Sequence, residues 1–146
     1  MLSATCKYGI RAVVFIASRS DQEANTGLKQ IADALKIPRP YLAKILQTLS
    51  RKKILHSSKG PHGGFQLLIP AGKLTLMNII DATDEGAFFD SCYVTGEKCN
   101  FDKPEKGVCI LHNDLRKEKN RLAKFFSSKT IKELVDQANQ AQGIKI

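Results

Sequence analysis

Acidic side chains are almost missing from Leu28 to Leu68. One acid, Asp33, faces eight Lys or Arg there, which leaves +7 of the chain's formal +9 in little more than a quarter of its 146 residues. Surfaces built only for solubility mix signs, so the block as a whole is not an ordinary solvated face and points to a polyanion. Long apolar runs are missing too. No stretch approaches the roughly 18 apolar residues that cross a bilayer. The VVFIA segment behind Lys7 and Arg11 is too short and too polar-flanked for a secretory signal. A cytoplasmic protein with no membrane partner is expected. Tryptophan is absent, and no basic helix carries an aromatic apolar side with which to lie on a membrane surface. There is no HExxH, GxSxG or Walker loop, so the chemistry those motifs support is excluded and no enzyme is expected. No internal repeat or low-complexity tract is present.

What remains is a chain long enough to bury a real core, with 42% apolar and 25% charged residues. Ser3 to Ser18 reads as a helix capped by Ser3, with Cys6, Ile10, Val13, Val14 and Ala17 on one face. SDQEANTG follows as a polar loop. Leu28, Ile31, Ala32 and Leu35 recur at i, i+3, i+4 and i+7, which predicts a short amphipathic helix. Pro38 ends it in the turn Lys36-Ile37-Pro38, because proline lacks an N–H and clashes one turn back. Pro40 suits the first turn of the next helix, where Leu42, Ile45, Leu46 and Leu49 repeat the core stripe. Ile54–Ser58 and Phe65–Ile69 read as strands around a glycine-rich tip. Thr75 is expected to cap a third core helix containing Leu76, Ile79 and Ile80.

Two helices across a tight turn, then a hairpin, make a winged helix-turn-helix. In that arrangement the second helix enters the major groove. Its outward residues are Arg39, Ala43, Lys44, Gln47 and Arg51, flanked by Tyr41 and Thr48. Arg and Lys can donate to guanine, Gln to adenine and Thr to phosphate, whereas Ala43 cannot donate. Lys59 at the wing tip suits a minor groove, and Lys29 suits a phosphate. Pro40, His62, Gly63 and Gly64 complete the candidate DNA-binding set. The glycines are not a phosphate loop, since no helix starts after them and no GK[ST] follows.

From Asp81 to Glu105 the composition inverts, to seven acids against two lysines, and a loop with at most one short helix is expected. A long helix resumes at Val108, with Val108, Leu111, Leu115, Leu122 and Phe125 on heptad a and d positions and Glu118 interrupting the seam. Thr130-Ile131-Lys132-Glu133 fits a capping box for a last short helix. Cys92, Cys99 and Cys109 fall in this region, and His112 lies one helical turn beyond Cys109. In a reducing compartment such thiols suit metal or redox chemistry rather than disulfides. Soft thiolates bind iron or zinc. Gaps of six and nine residues are not a zinc-finger knuckle and suit an iron–sulfur cluster better, with zinc, redox thiols or inert cysteines as alternatives. A Cys109–His112 thiolate enzyme is a further alternative, but no third orienting group accompanies it. Cys6, in an apolar stripe, reads as a small buried hydrophobe.

KYGIRAVVFIA, IPRPYLAKILQTLSRKKIL and the KGPHGGF wing together resemble the Rrf-type family of bacterial winged-helix transcription regulators, a group that includes iron–sulfur and nitric-oxide sensors. The resemblance runs from about Met1 to Phe126. It implies a homodimer paired through the long C-terminal helix and bound to double-stranded operator DNA, with DNA contacts at Tyr41, Lys44 and Lys59. It also implies cluster ligation (2Fe-2S or 4Fe-4S) by Cys92, Cys99 and Cys109, with His112 matching a ligand histidine. The chain departs from the family at Ala43, where relatives carry an acid, and at Lys59, where some carry arginine. Tyr8 stands where the nitric-oxide sensors carry an acidic ligand, and the Cys99–Cys109 gap is longer. The expected fold is mainly α with a small β-hairpin wing: a winged helix-turn-helix over 1–82, a cysteine-bearing loop over 83–107, and a dimerisation helix and C-terminal helix over 108–146.

Overall fold

The computed structural model describes residues 2–19, 25–84, 89, 91–92, 94–98 and 110–140. Among them are six helices and one two-stranded antiparallel sheet. The elements are α1 (Ala4–Ala17), α2 (Leu28–Leu35), α3 (Arg39–Arg51), β1 (Leu55–Ser58), β2 (Gly64–Leu67), α4 (Leu76–Asp84), α5 (His112–Ser128) and α6 (Ile131–Gln140).

The apolar stripes read from the sequence converge on one core. Val13 and Ile16 of α1, Ile31 of α2, Leu42, Ile45, Leu46 and Leu49 of α3, and Ile79 of α4 are all buried in a single cluster. Ser3 caps α1 by accepting the Cys6 N–H at 3.0 Å, and its own N–H donates to the Asp84 carboxylate at 3.0 Å. The two ends of the α1–α4 pair are thereby tied together. Thr75 and Asn78 cap α4 reciprocally, with the Thr75 N–H 2.9 Å from Asn78 Oδ1.

Four expectations shift. The strands are shorter, at Leu55–Ser58 and Gly64–Leu67, with Leu55 opposite Leu67 and Ser58 opposite Gly64. Helix α4 runs on to Asp84, past the change of composition at Asp81, because Ala82 still faces the core. The polar loop after α1 contributes to the wing: Thr26 pairs with Phe65 through two backbone bonds of 2.9 and 3.0 Å, which gives the hairpin a third short partner. The described part of the long helix begins at His112, with Leu111 at its N-cap, and Val108 lies outside the described residues.

The last helix returns to the start of the chain. Thr130 bridges to Thr75, Ile131 is fully buried in the common core, and α6 packs on α1.

Candidate nucleic-acid interface and cysteine segment

Burial of four residues on α3 fixes what its other side shows. With Leu42, Ile45, Leu46 and Leu49 inward, Arg39, Pro40, Lys44, Gln47 and Arg51 are exposed, while Tyr41, Ala43 and Thr48 are half-buried. Positions 40, 44, 47 and 51 follow helical spacing, so they form one stripe. The stripe is stiffened locally: Arg51 donates to Thr48 Oγ1 at 3.1 Å, and Arg39 reaches Asp33 on α2 at 3.2 Å across the turn. Both members of that second pair are half-exposed, so it orients the guanidinium more than it stabilises the fold.

The turn between α2 and α3 closes without glycine. Lys36 adopts φ 54°, and Ile37 is buried beneath it. Arg11 of α1 donates to the Leu35 carbonyl at 3.0 Å, meeting one of the open acceptors at the end of α2. The same guanidinium lies 5.8 Å from the centre of the Tyr8 ring, which in turn meets Tyr41 edge-on at 5.7 Å. Tyr41 Oη is 2.9 Å from Thr5 Oγ1. Tyr41 therefore sits at the α1–α3 junction, with its hydroxyl engaged inside the protein.

In the wing, Lys59 and His62 are exposed and Lys29 is exposed in the first turn of α2. The Asn25 amide donates to the His62 carbonyl at 3.1 Å, and the Gly63 N–H donates to the Gly60 carbonyl at 2.9 Å. Gly64 has φ +152°, and a Cβ on it would stand 2.6 Å from the Thr26 carbonyl oxygen. These glycines make the tip by letting backbone meet backbone.

Of the proposed metal ligands, Cys92 and His112 are described; Cys99 and Cys109 lie outside the described residues. Among the described residues no three His, Cys, Asp or Glu side chains gather as a ligand set. Cys92 is buried in a tight knuckle. Its N–H donates to Glu97 O at 2.8 Å, its carbonyl accepts from the Gly96 N–H at 2.9 Å, and Ser91 pairs with Lys98. The Val94 N–H points at Cys92 Sγ from 3.4 Å. Sulfur is a soft donor and accepts an amide hydrogen bond here, as metal-bound cysteine sulfur can, so the donor chemistry at Cys92 fits a cluster or zinc. His112 is buried at the first position of α5. Cys6 lies elsewhere, fully buried between α1 and α4, and burial pushes its thiol up, which keeps it protonated and inert.

Two features were missed from the sequence. Asn25 and Thr26 brace the wing from a stretch that reads only as a polar loop. Lys119, buried on α5, donates to the carbonyls of Phe89 and Ser91, at 3.2 Å for the former. The available signal was its spacing, seven residues beyond His112.

A helix-turn-helix with a basic outward stripe, followed by a glycine-tipped wing, defines a winged-helix, DNA-binding transcriptional regulator rather than an enzyme. The Rrf2 family model, described as an iron-dependent transcriptional regulator, matches residues 2–137, and the chain belongs to that family. It is 33% identical over 138 residues to an HTH-type transcriptional regulator of Aquifex aeolicus, covering 93% of this chain and 92% of that one. It is 27% identical to the regulator IscR of Cronobacter sakazakii, covering 92% and 80%. In fold it is similar to CymR, the global cysteine regulator of B. subtilis, with a TM-score of 0.76 at 18% identity over 94% and 97% of the two chains. It is likewise similar to T. potens IscR, with a TM-score of 0.75 at 19% identity over 99% and 93%. No helix among the described residues is long and apolar enough to cross a membrane.

Proposed function

We propose that this regulator is a homodimer whose grip on operator DNA follows the state of an iron–sulfur cluster held by Cys92, Cys99, Cys109 and His112. The observation that carries the reading is the Cys92 knuckle, where a backbone amide is already aimed at the sulfur. A cluster there supplies redox and nitric-oxide sensitivity, since both change iron–thiolate bonding. The chain's own residues do the rest. Bound to one cluster, the three thiolates and the imidazole would draw the 90–109 segment toward the start of α5, the helix that would pair the two subunits. The angle of that pairing sets the distance between the two α3 helices, and half-site spacing on DNA is a geometric requirement. Loss of the ligands' common partner would free the segment and change the affinity for operator DNA. Lys44, Gln47 and Arg51 read the major groove, with Lys29, Arg39, Pro40, Tyr41 and Thr48 beside them, and Lys59, His62, Gly63 and Gly64 approach the minor groove.

Anaerobic purification with iron, sulfide and zinc analysis tests this reading. Brown protein with thiolate-to-iron charge-transfer absorption and matching iron and sulfide is expected. Colourless protein with stoichiometric zinc would replace the cluster by a zinc site, and colourless metal-free protein would leave a thiol switch or none. Either result leaves DNA binding intact.

A further inference from the structure

Helix α5 is 17 residues long, and its two buried residues are His112 and Lys119. A lysine is a poor choice for an inward position. Ordering it costs rotamer entropy, and burying its ammonium without partners is strongly unfavourable. Lys119 retains only 6% of its exposure, and its Nζ donates to two backbone carbonyls, those of Phe89 and Ser91. Ser91 is the residue before Cys92. Phe126, seven residues further along the same face of α5, meets Phe89 edge-on with ring centres 6.1 Å apart. His112, Lys119 and Phe126 thus form an i, i+7, i+14 column, and two of its members grip the chain just ahead of the cysteine knuckle.

We propose that Lys119 is a positioning residue that latches the Cys92 segment to α5. Two of the groups it holds, the Phe89 and Ser91 carbonyls, are main-chain oxygens, so this hold does not depend on which side chains those two residues carry. It fixes the direction in which the chain enters the Ser91–Lys98 pairing, and so where Cys92 Sγ and the Val94 amide point. Any displacement of Cys92 is thereby passed to the helix through a charged contact inside the protein, rather than absorbed in the loop. The role of Cys92 as a metal ligand rests on the reading above; the latch itself does not.

The test therefore uses reduced, metal-free, full-length protein. Amide exchange is followed at Cys92, Val94 and Gly96, whose N–H groups are the knuckle's donors, together with the rate at which iodoacetamide alkylates Cys92. Removing hydrogen bonds to a charged group should open the knuckle about ten- to a hundredfold more often. Lys119→Met, which keeps the length and loses the donors, should accelerate both readouts by that factor while the amides of α1 to α4 keep theirs. Lys119→Arg, which keeps charge and donors, should restore most of the protection. Unchanged exchange and alkylation in Lys119→Met, or an arginine variant no better than methionine, would overturn the latch. Should Lys119→Met exchange faster everywhere, the wild-type protein decides. The Lys119 ammonium protons should persist in its NMR spectrum and couple across hydrogen bonds to the Phe89 and Ser91 carbonyl carbons, and the absence of that signal overturns the proposal. Failure of the cluster reading would appear only as missing colour and iron.

Discussion

Gly64 and Lys59 sit five residues apart in the wing and act through different physics. Gly64 holds φ +152° with Thr26 backbone 2.6 Å from where a Cβ would lie. Alanine there must distort the Thr26–Phe65 pairing, and overpacking of this kind costs about 1–3 kcal/mol. Lys59 is exposed, and a surface truncation there should stay within roughly 0.5 kcal/mol. Its expected effect is on DNA. Removing one lysine–phosphate interaction lowers the slope of log affinity against log salt by about one unit on duplex DNA. Urea denaturation and a salt titration on non-specific duplex should therefore separate the pair. Gly64→Ala lowers the midpoint, whereas Lys59→Ala keeps it and flattens the slope. A Lys59→Ala slope equal to the wild type would remove the wing tip from the interface. Tyr41 shows where residue-level reading stops. Its place beside the outward stripe is legible from spacing, but the Thr5 hydroxyl and Tyr8 ring that engage it come from another helix.

At the scale of elements, helices α1 to α4 were legible because each carries an apolar stripe at helical period, although the end of α4 at Asp84 had no turn signal to mark it. The wing was legible from its glycines. Two things were not: that Thr26 would pair with Phe65, since a polar stretch advertises no partner, and that the short α6 would pack on α1. The capping box that starts α6 was readable, and the structure shows how it works. Glu133 accepts the Thr130 N–H at 2.8 Å and its hydroxyl at 2.9 Å, with Lys129 at 3.3 Å. These bonds, that from the Thr130 N–H foremost, hold the Glu133 carboxyl below the ordinary carboxylate value. A group with a lowered folded value contributes stability above its unfolded value and loses it as pH falls through the folded one. Glu133→Gln should thus be less stable than the wild type at about pH 7, and the gap should close toward about pH 3. Urea midpoints at the two pH values check this. A gap that persists in acid would mean that the contact is not ionic.

The whole molecule turns on α5 having two faces. On one, His112 and Lys119 are buried, Lys119 and Phe126 reach the stretch ahead of Cys92, and Phe126 packs on the core. The other carries the heptad seam read from the sequence. There Leu111, Leu122 and Phe125 retain 44, 37 and 52% of their exposure, and Ile110 just ahead of the helix retains 95%. A single subunit gains nothing by leaving these side chains in water, and burying each large apolar side chain against a second copy would contribute about 1.5–3 kcal/mol. Pairing α5 with α5 around a two-fold axis would cover the seam in both subunits at once, as an isologous interface requires. The inward column would remain on the ligand segment, so sensing and pairing would share one helix without sharing residues. Phe125→Glu combined with Leu122→Glu should then convert the proposed dimer to a monomer in sedimentation equilibrium, and should weaken DNA binding because one subunit offers one recognition helix. The core residues of α1 to α4 are untouched, so the far-ultraviolet circular dichroism should keep its helical shape. A double variant that still sediments as a dimer would move the interface away from this seam. It would also break the proposed link between the cysteine segment and the spacing of the recognition helices.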